Sequence, residues 1–248
     1  MLEGARIAVI VPAYNEAALL PRTLDAMPSF VDSIIVVDDA SEDSTWQCLQ
    51  SWQDPRLIAK RHDANRGVGA AIVTGYQAAF EQGNDVAAVM AGDAQMHPDD
   101  LAPLVSAVVR GDADYAKGDR LAHPKARQLM PWTRWVGNHA LSWLTSVACG
   151  AAVRDSQCGY TALSKEAARR LDLGDLWPRY GYPNDLLSRI LSAGLAVRDI
   201  TVRPVYAEEK SGIDARHALG VIPYVLARSW LRRRLQRTEA GSLTDPHS

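Results

Sequence analysis

Acidic side chains follow several apolar segments of the chain, at positions where a strand is expected to end. Asp38 and Asp39 come directly after the β-branched run 33–37. Two adjacent carboxylates repel each other unless something compensates their charge, and ionised carboxylates accept hydrogen bonds from ligand hydroxyl or amide groups. The pair therefore predicts a ligand site. The alternative is that Asp39, Ser41 or Asp43 caps the following helix, which would explain one acid but not two in a row.

A further acid and an amide follow the apolar run 86–90. Asp93 and Gln95 are two residues apart in the segment 92–98. One oxygen from each side chain can bind a hard divalent cation, and Mg²⁺ or Mn²⁺ then completes its coordination shell with diphosphate and water oxygens. The spacing predicts a site for Mg²⁺ or Mn²⁺. The alternative is a loop aspartate that caps the helix beginning at Pro98.

Glycines mark the start of a predicted helix at 67–81. Gly67 and Gly69 stand in the sequence Asn65-Arg66-Gly67-Val68-Gly69. Glycines here would let backbone N–H groups approach a ligand, and a helix N-terminus favours negative charge. The spacing differs from the dinucleotide-binding fingerprint and the segment does not follow the first strand, which argues against a Rossmann oxidoreductase. The chain also lacks the GxxxxGK[ST] motif.

Apolar runs alternate with helical patterns through the first hundred residues. We predict strands at 7–11, 33–37, 57–60 and 86–90, and helices at 16–27, 44–52, 67–81 and 99–110. Near-continuous apolar runs are typical of strands buried on both faces. The alternation predicts an α/β fold with a mainly parallel sheet flanked by helices. Ligands of such sheets bind beyond the carboxyl ends of the strands, where Asp39 and Asp93 are expected.

The rest of the chain continues this pattern and ends in a basic segment. We predict a strand at 114–117, a basic loop at 121–130, a helix with three tryptophans from 132 to 143, a turn and strand at 155–164, a helix at 184–193 and a strand at 197–205. No repeat or linker interrupts residues 1–215, so we predict one domain there and a tail at 216–248.

The tail segment 222–237 combines leucine and tryptophan with five arginines and is predicted to be helical. Two interpretations remain open. The helix either docks on the domain, with its arginines complementing its own C-terminal dipole, or lies as an amphipathic helix on an anionic membrane. The final residues, 239–248, are expected to be frayed.

The composition is that of an ordinary globular protein. Of the 248 residues, 47% are hydrophobic and 23% charged, with a net charge of −2, which excludes a disordered chain and argues against a basic nucleic-acid-binding protein. Three cysteines without a CxxC pair predict a reduced protein without a disulfide frame. No run reaches the ~18 apolar residues of a membrane span, and the N-terminus lacks a signal peptide. We expect a cytoplasmic protein, with any membrane contact peripheral and on the inner face.

Four motifs together resemble those of family 2 glycosyltransferases, in particular the branch of dolichyl-phosphate mannose synthases and related polyprenyl-phosphate glycosyltransferases. They are Pro12-Ala13-Tyr14-Asn15-Glu16, Asp38-Asp39-x-Ser41-x-Asp43, Asn65-x-Gly67-x-Gly69-Ala70-Ala71 and Gly92-Asp93-Ala94-Gln95-x-x-Pro98. The resemblance implies a GT-A fold, in which a Rossmann-like nucleotide half continues into an acceptor half. It also implies an inverting transfer of a sugar from a UDP- or GDP-sugar, with Mg²⁺ or Mn²⁺ as cofactor.

The resemblance assigns roles to individual residues as well. Binding of the donor nucleotide is expected at Pro12, Ala13, Tyr14, Glu16, Asp38, Asp39, Gly67, Gly92, Asp93 and Lys210. Asp93 and Gln95 match the metal ligands. The expected catalytic residues are Asp93, Arg120 near the donor phosphates and Asp185 as a base facing the acceptor. The alternative for Asp185 is a helix N-cap. One position departs from the family pattern, because Ala91 replaces the first acid of the DxD metal motif.

Three alternatives for the activity follow from the resemblance. A polyprenyl phosphate acceptor fits the tryptophan-bearing helix and the basic tail, which could contact anionic lipid, and it needs no strong base. A hydroxyl acceptor needs a base, for which Asp185 is the candidate. A non-catalytic protein that binds nucleotide sugars would explain Ala91. The chain lacks the GxGxRLxP-like start of sugar-1-phosphate nucleotidyltransferases and the QxxRW signature of processive polysaccharide synthases. The oligomeric state is not predicted.

Overall fold

A seven-stranded sheet forms the centre of the protein. The computed structural model describes residues 1–205 and 220–242, with side chains described up to residue 234. The strands are β1 (Ile7–Ala13), β2 (Ser33–Asp38), β3 (Leu57–Arg61), β4 (Val86–Val89), β5 (Tyr115–Asp119), β6 (Thr161–Ser164) and β7 (Val197–Thr201). Their order is β3-β2-β1-β4-β6-β5-β7. Only β6 runs antiparallel to its neighbours in this part of the chain, so the predicted mainly parallel sheet is confirmed.

Helices cover both faces of the sheet. They are α1 (Leu20–Asp25), α2 (Thr45–Ser51), α3 (Val68–Glu81), α4 (Leu101–Val109), α5 (Ala126–Leu129), α6 (Trp132–Cys149), α7 (Lys165–Arg169), α8 (Tyr182–Ser192) and α9 (Ile222–Ser242). Two 3₁₀ turns lie at Pro98–Asp100 and Leu173–Asp175.

The sequence did not predict α7, and the predicted loop 121–130 contains α5. The predicted helix 16–27 was too long, because α1 spans only Leu20–Asp25. The backbone N–H groups of Glu16 and Ala17, in the loop before it, donate to Thr45 and Asp43.

The central strand β1 explains why its sequence is apolar throughout. All of its residues are buried, and alternate side chains point to opposite faces of the sheet. Val9 packs in the cluster that includes α4, and Ile10 packs in the cluster that includes α3. The contact with α3 is close: a Cβ on Gly75 would lie 2.2 Å from Cγ2 of Ile10. This packing brings the N-terminus of α3 to the carboxyl edge of the sheet.

The C-terminal helix α9 packs against α6 and α8. Ile222 and Leu226 are buried against Ala148 and Leu141 of α6. The helix is thus docked on the rest of the chain, as one of the two interpretations predicted. Its arginines do not complement its own C-terminal dipole as that interpretation also expected, because the last turn contains no basic residue and Arg228 and Arg232 pair with acids instead. The helix extends beyond the predicted end at 237 to Ser242, so the first residues of the segment expected to be frayed are helical. The predicted boundary at 215 lies outside the described residues and stays a prediction. None of the helices in the described ranges combines the length and the apolar character needed to cross a bilayer.

Candidate active site

A cavity of about 690 Å³ opens beyond the carboxyl ends of the strands, at the edge that the α/β pattern predicts. The structure brings most of the predicted site residues together here. Those that line the cavity are Pro12, Ala13, Tyr14, Glu16, Asp39, Gly67, Gly92, Asp93, Gln95 and Arg120. Asp38 and Asp185 are not among the lining residues, and Lys210 lies outside the described part of the chain.

Asp39 organises one side of the cavity. Its Oδ1 lies 2.6 Å from Nδ1 of His62 and accepts a hydrogen bond from the backbone N–H of Arg66, while its Oδ2 accepts from the N–H of Gly67 at 2.6 Å. Nε2 of His62 in turn lies 3.0 Å from the Thr74 hydroxyl. A carboxylate with this many donors is held in one orientation. Asp39 therefore connects the end of β2 to the start of α3.

Asp38 and Asp39 have separate roles because successive residues of a strand point to opposite sides. The Asp38 carboxylate is fully buried, accepts from the N–H of Ser41 and lies 3.0 Å from Nε of Arg61. One alternative was that Ser41 caps α2, but its side chain does not cap that helix. Its hydroxyl accepts from the N–H of Asn15, and so it joins the loops that follow β1 and β2.

Asp93 and Gln95 lie in a tight turn after β4. Oδ1 of Asp93 accepts a hydrogen bond from the N–H of Gln95 at 3.0 Å, and Ala94 between them has a φ of +56°. The next helical turn is capped by His97, whose ring accepts from the N–H of Asp99, so Asp93 is not a helix cap. Both side chains of the predicted metal pair thus face the same cavity.

The chemistry of this pair suits a divalent cation that arrives with a diphosphate. The described residues contain no cluster of three histidine, cysteine or acidic side chains with metal-binding geometry. Mg²⁺ is commonly bound through one or two carboxylates and completed by substrate phosphates. One carboxylate and one amide oxygen, at Asp93 and Gln95, fit that mode of binding.

Cationic and acidic side chains both reach the cavity. Tyr180 lies on the acidic side: burial raises the pKa of its hydroxyl, and the negative charges of Asp93 and Glu16 raise that pKa further. The lining also contains four arginines, which are Arg120, Arg134, Arg179 and Arg203. Sequence reasoning did not find Arg179, Arg203 or Tyr180 as site residues, because the loops that carry them, one with Arg179 and Tyr180 and another with Arg203, do not follow the strands of the predicted nucleotide half.

Arg120 is held by a buried carboxylate. Nε and Nη2 of Arg120 donate to the two oxygens of Asp155 at 2.8 Å each, and the Arg120 N–H donates to Oδ2 as well. Burial acts to raise the pKa of Asp155, but the hydrogen bonds and charge of Arg120 outweigh it and hold that pKa below its usual value. The bidentate pair fixes the plane of the guanidinium at the cavity.

Four strained residues surround the same edge of the sheet. Asn15, Ala40, Ala94 and Asp155 have positive φ angles although they are not glycines. They follow β1, β2, β4 and α6 respectively. Such conformations persist only where the surrounding structure imposes them, and they concentrate at functional sites.

The glycines before and in α3 allow a close approach of protein backbone. A Cβ on Gly67 would lie 2.5 Å from the carbonyl oxygen of Pro178, and one on Gly69 would lie 2.2 Å from the carbonyl oxygen of Trp177. The N–H of Ala70 donates to the Pro178 carbonyl. Gly67 lines the cavity as predicted. The close approach, however, is to the segment 177–182, which forms a side of the cavity and is called the cavity wall below.

We expect Gly69→Ala to displace the cavity wall. Alanine normally stabilises a helix by about 1 kcal/mol relative to glycine, but here its methyl group would overlap backbone. The expected result is a loss of about 1–3 kcal/mol of unfolding free energy, the usual range for overpacking, measured by urea denaturation. Gly137→Ala in α6 is the matched control, because a Cβ there meets nothing within 4 Å. Equal stability changes in the two variants would contradict the expectation.

Asp185 lies beneath the cavity wall and does not reach the cavity. Its side chain is fully buried. Oδ2 accepts from the N–H of Trp177 and from Nε of Arg189, and Oδ1 accepts from Nη1 of Arg232. Nor is Asp185 the N-cap of its own helix, since α8 begins after Gly181 without a side-chain cap. Its hydrogen bonds thus connect the backbone of the cavity wall, α8 and α9.

A mainly parallel sheet with an acid–amide pair and arginines beyond its strand ends is an arrangement that suits the binding of a phosphorylated ligand. Residues 8–171 match the glycosyl transferase family 2 domain. The chain belongs to this family and is a glycosyltransferase, as the four sequence motifs predicted.

Curated relatives extend beyond the matched domain. A UDP-N-acetylglucosamine–dolichyl-phosphate N-acetylglucosaminyltransferase of Methanococcus voltae is 31% identical over 217 residues, which cover 82% of this chain and 86% of the relative. A polyprenol monophosphomannose synthase of Mycolicibacterium smegmatis is 30% identical over 244 residues, which cover 94% of this chain and 89% of that protein. The similarity to the second thus includes most of α9.

Solved structures confirm the GT-A fold. A glucosyl-3-phosphoglycerate synthase from Mycobacterium tuberculosis, crystallised with Mn²⁺, UDP and glucosyl-3-phosphoglycerate, superposes with a TM-score of 0.66 at 20% identity. The match covers 93% of this chain and 80% of that structure. At this identity the likeness concerns the fold alone.

Proposed function

We propose that this glycosyltransferase transfers a sugar, with inversion, from a nucleoside-diphosphate sugar to a polyprenyl phosphate. The observation that carries the proposal is that Asp93 and Gln95 share one cavity with several arginines at the carboxyl edge of the sheet. A donor diphosphate needs both kinds of group, oxygens for a cation and guanidinium groups for phosphate. The cavity volume of about 690 Å³ is within the range of small-molecule sites.

The donor would lie across the strand ends, with its nucleoside near Tyr14, Glu16 and Asp39. The fixed position of Asp39 supports this assignment, because its contacts hold the loop at Arg66 and Gly67 in place before a ligand binds. Preorganised groups of this kind recognise a ligand without the cost of ordering a loop. UDP and GDP donors both remain compatible with these groups.

Asp93 and Gln95 would hold Mg²⁺ or Mn²⁺ together with the donor diphosphate. When bound, the ion would neutralise charge that develops on the departing diphosphate. Arg120 would act on the same charge, and its bidentate pair with Asp155 keeps it oriented before the reaction. Preorganised electrostatic groups are usually the largest contribution to catalysis in such reactions.

The location of Asp185 favours a phosphate acceptor over a hydroxyl acceptor. A hydroxyl must lose a proton to a base within hydrogen-bonding reach, and Asp185 is buried under the cavity wall. A phosphate monoester is ionised at neutral pH and attacks without such a base. The activities for which the two relatives are named concern dolichyl phosphate and polyprenol, which supports the same class of acceptor.

The proposal is tested by incubating the protein with radiolabelled UDP- and GDP-sugars, short-chain polyprenyl phosphate and Mg²⁺ or Mn²⁺. We expect label to enter the organic phase in a form that mild acid releases, and the product to have the opposite anomeric configuration to the donor. Transfer to a soluble hydroxyl acceptor, with none to polyprenyl phosphate, would reject the proposed acceptor. Full turnover in excess chelator would reject the role of the cation.

The exposed face of α6 is the proposed contact with the lipid bilayer that contains such an acceptor. Trp132, Val136, Trp143 and Val147 are all exposed, the two tryptophans by 75% and 67%. At 100° per residue these four lie within about 60° of the helix circumference. The opposite side of α6 packs on α9 through Ala148. Exposed tryptophans on one helix face are typical of interfacial helices, so we propose peripheral attachment to the inner face of the membrane.

Replacing Trp132 and Trp143 together with alanine is expected to weaken vesicle binding. Each side chain would lose apolar burial in the lipid interface, so the partition coefficient should fall at least about tenfold. The measurement is co-sedimentation with vesicles that contain anionic phospholipid, with neutral vesicles in parallel. Unchanged binding of a variant that remains folded would place the membrane contact elsewhere.

A further inference from the structure

The C-terminal helix α9 is connected to the buried Asp185 and the exposed Asp175 by a network of ion pairs. Nη1 of Arg232 lies 3.1 Å from Oδ1 of Asp185, and its Nη2 lies 3.5 Å from Oδ2 of Asp175. Arg228, one turn earlier, donates to both oxygens of Asp175 at 2.9 Å. Because Asp185 is fully buried, its pair with Arg232 is shielded from solvent and is stronger than a surface pair.

The same carboxylate holds the start of the cavity wall. Oδ2 of Asp185 accepts a hydrogen bond from the N–H of Trp177 at 3.0 Å. The Trp177 indole lies against the ring of Tyr224 on α9, with centroids 5.6 Å apart, and its Nε1 donates to the carbonyl of Tyr180 at 2.9 Å. Trp177 is therefore fixed through its backbone by Asp185 and through its side chain by α9.

The cavity wall continues from Trp177 directly into the site. Arg179, Tyr180, Gly181 and Tyr182 all line the cavity. Arg179 also donates to the side chain and backbone carbonyl of Asn65, at the start of the glycine motif. A shift at Trp177 would consequently move the guanidinium of Arg179 and the ring of Tyr180, which lie near the N-terminus of α3.

We propose that α9 and Asp185 form a clasp that sets the position of the cavity wall, with Arg232, Tyr224 and Asp185 as positioning residues. The ligand named here, a nucleoside diphosphate, rests on the proposed function, whereas the clasp itself rests on the described contacts. Loss of Arg232 leaves the buried Asp185 carboxylate with less positive charge around it. The carboxylate and Trp177 then rearrange, and the wall loses its fixed position. Donor binding weakens, while Asp93 and Arg120 keep the local contacts that hold them outside the cavity wall.

The test compares Arg232→Ala, Arg232→Lys and Asp185→Asn with the wild-type protein. Arg169→Ala is the matched control, because Arg169 forms an exposed ion pair with Glu166 outside the cavity. UDP and GDP binding in the presence of Mg²⁺ is measured by calorimetry, and KM and kcat are measured with the nucleotide sugar that the wild type uses. Amide hydrogen exchange over 177–182 is followed without any ligand.

For Arg232→Ala we expect about tenfold weaker nucleotide binding and a similar rise in donor KM, a kcat within about threefold of wild type, and at least tenfold faster amide exchange at Trp177. Arg232→Lys should restore part of each effect, and Arg169→Ala should change none. Asp185→Asn should keep the wild-type pH profile of kcat.

Unchanged exchange and binding in Arg232→Ala would overturn the clasp. Loss of kcat by about 10³-fold in Asp185→Asn, with loss of the acidic limb of the pH profile, would overturn it in favour of a catalytic base. If wild type binds neither nucleotide, the proposed function fails, and the exchange measurement still decides the clasp.

Discussion

Asp93→Ala is expected to reduce sugar transfer by at least about 10³-fold. The substitution removes the remaining carboxylate of the proposed cation site, where Ala91 already replaces the first acid of the family motif. Removal of a preorganised electrostatic group alone costs about 10²–10³-fold, and loss of the cation adds to this. The measurement is kcat/KM for label transfer at saturating Mn²⁺.

The fold should tolerate this change. Asp93 is only partly buried, and its described hydrogen bond is to the N–H of Gln95 within the same turn. The melting temperature without ligand should therefore stay within a few degrees of wild type, while the stabilisation produced by UDP or GDP with Mn²⁺ should shrink, because a ligand stabilises by mass action. Asp112→Ala, which breaks an exposed ion pair with Arg198, is the matched control. Wild-type turnover by Asp93→Ala would remove the basis of the proposed metal site.

Asp155→Ala is expected to have the largest effect on stability, about 3 kcal/mol at pH 7. Removing one partner of a buried ion pair usually costs about 3–5 kcal/mol. The lower end applies here, because the Arg120 side chain is 22% exposed and can turn toward water while Asp155 is fully buried. Transfer should fall as well, by about 10–100-fold, since Arg120 loses its fixed orientation at the cavity. Urea denaturation and kcat/KM measure the two effects.

The stability difference at Asp155 should depend on pH. The pKa of Asp155 is lowered in the folded protein, so its carboxylate contributes stability above the unfolded-state pKa of about 3.9 and loses that contribution as the pH falls through the folded-state pKa. The stability difference between wild type and Asp155→Ala should therefore begin to shrink below about pH 4 and be lost below the folded-state pKa. Glu166→Ala, at an exposed ion pair with Arg169, should change stability by less than about 0.5 kcal/mol at either pH. A difference that persists unchanged at low pH would show that the buried pair is not its source.

The amino-acid sequence was enough to predict the α/β fold and the part of the cavity lining that follows the first strands. Both follow from local patterns. Buried parallel strands such as Ile7–Ala13 require apolar residues throughout, and ligand groups of such sheets must follow the strand ends. Asp39, Asp93 and Gln95 were found for this reason, because each lies within a few residues of a strand that the hydrophobic pattern predicts.

The surroundings of the glycine motif and of Asp185 emerged from the three-dimensional packing alone. The sequence indicated that glycines at 67 and 69 make room for a ligand, whereas the structure packs the backbone of Trp177 and Pro178 against them. Asp185 carries the residue type of a base, yet its helix buries it among Arg189, Arg232 and the Trp177 amide. These contacts join residues that are far apart in the chain, and side-chain type does not specify which partner a buried carboxylate meets. Burial and long-range packing assign such roles, and neither can be read from spacing along the sequence.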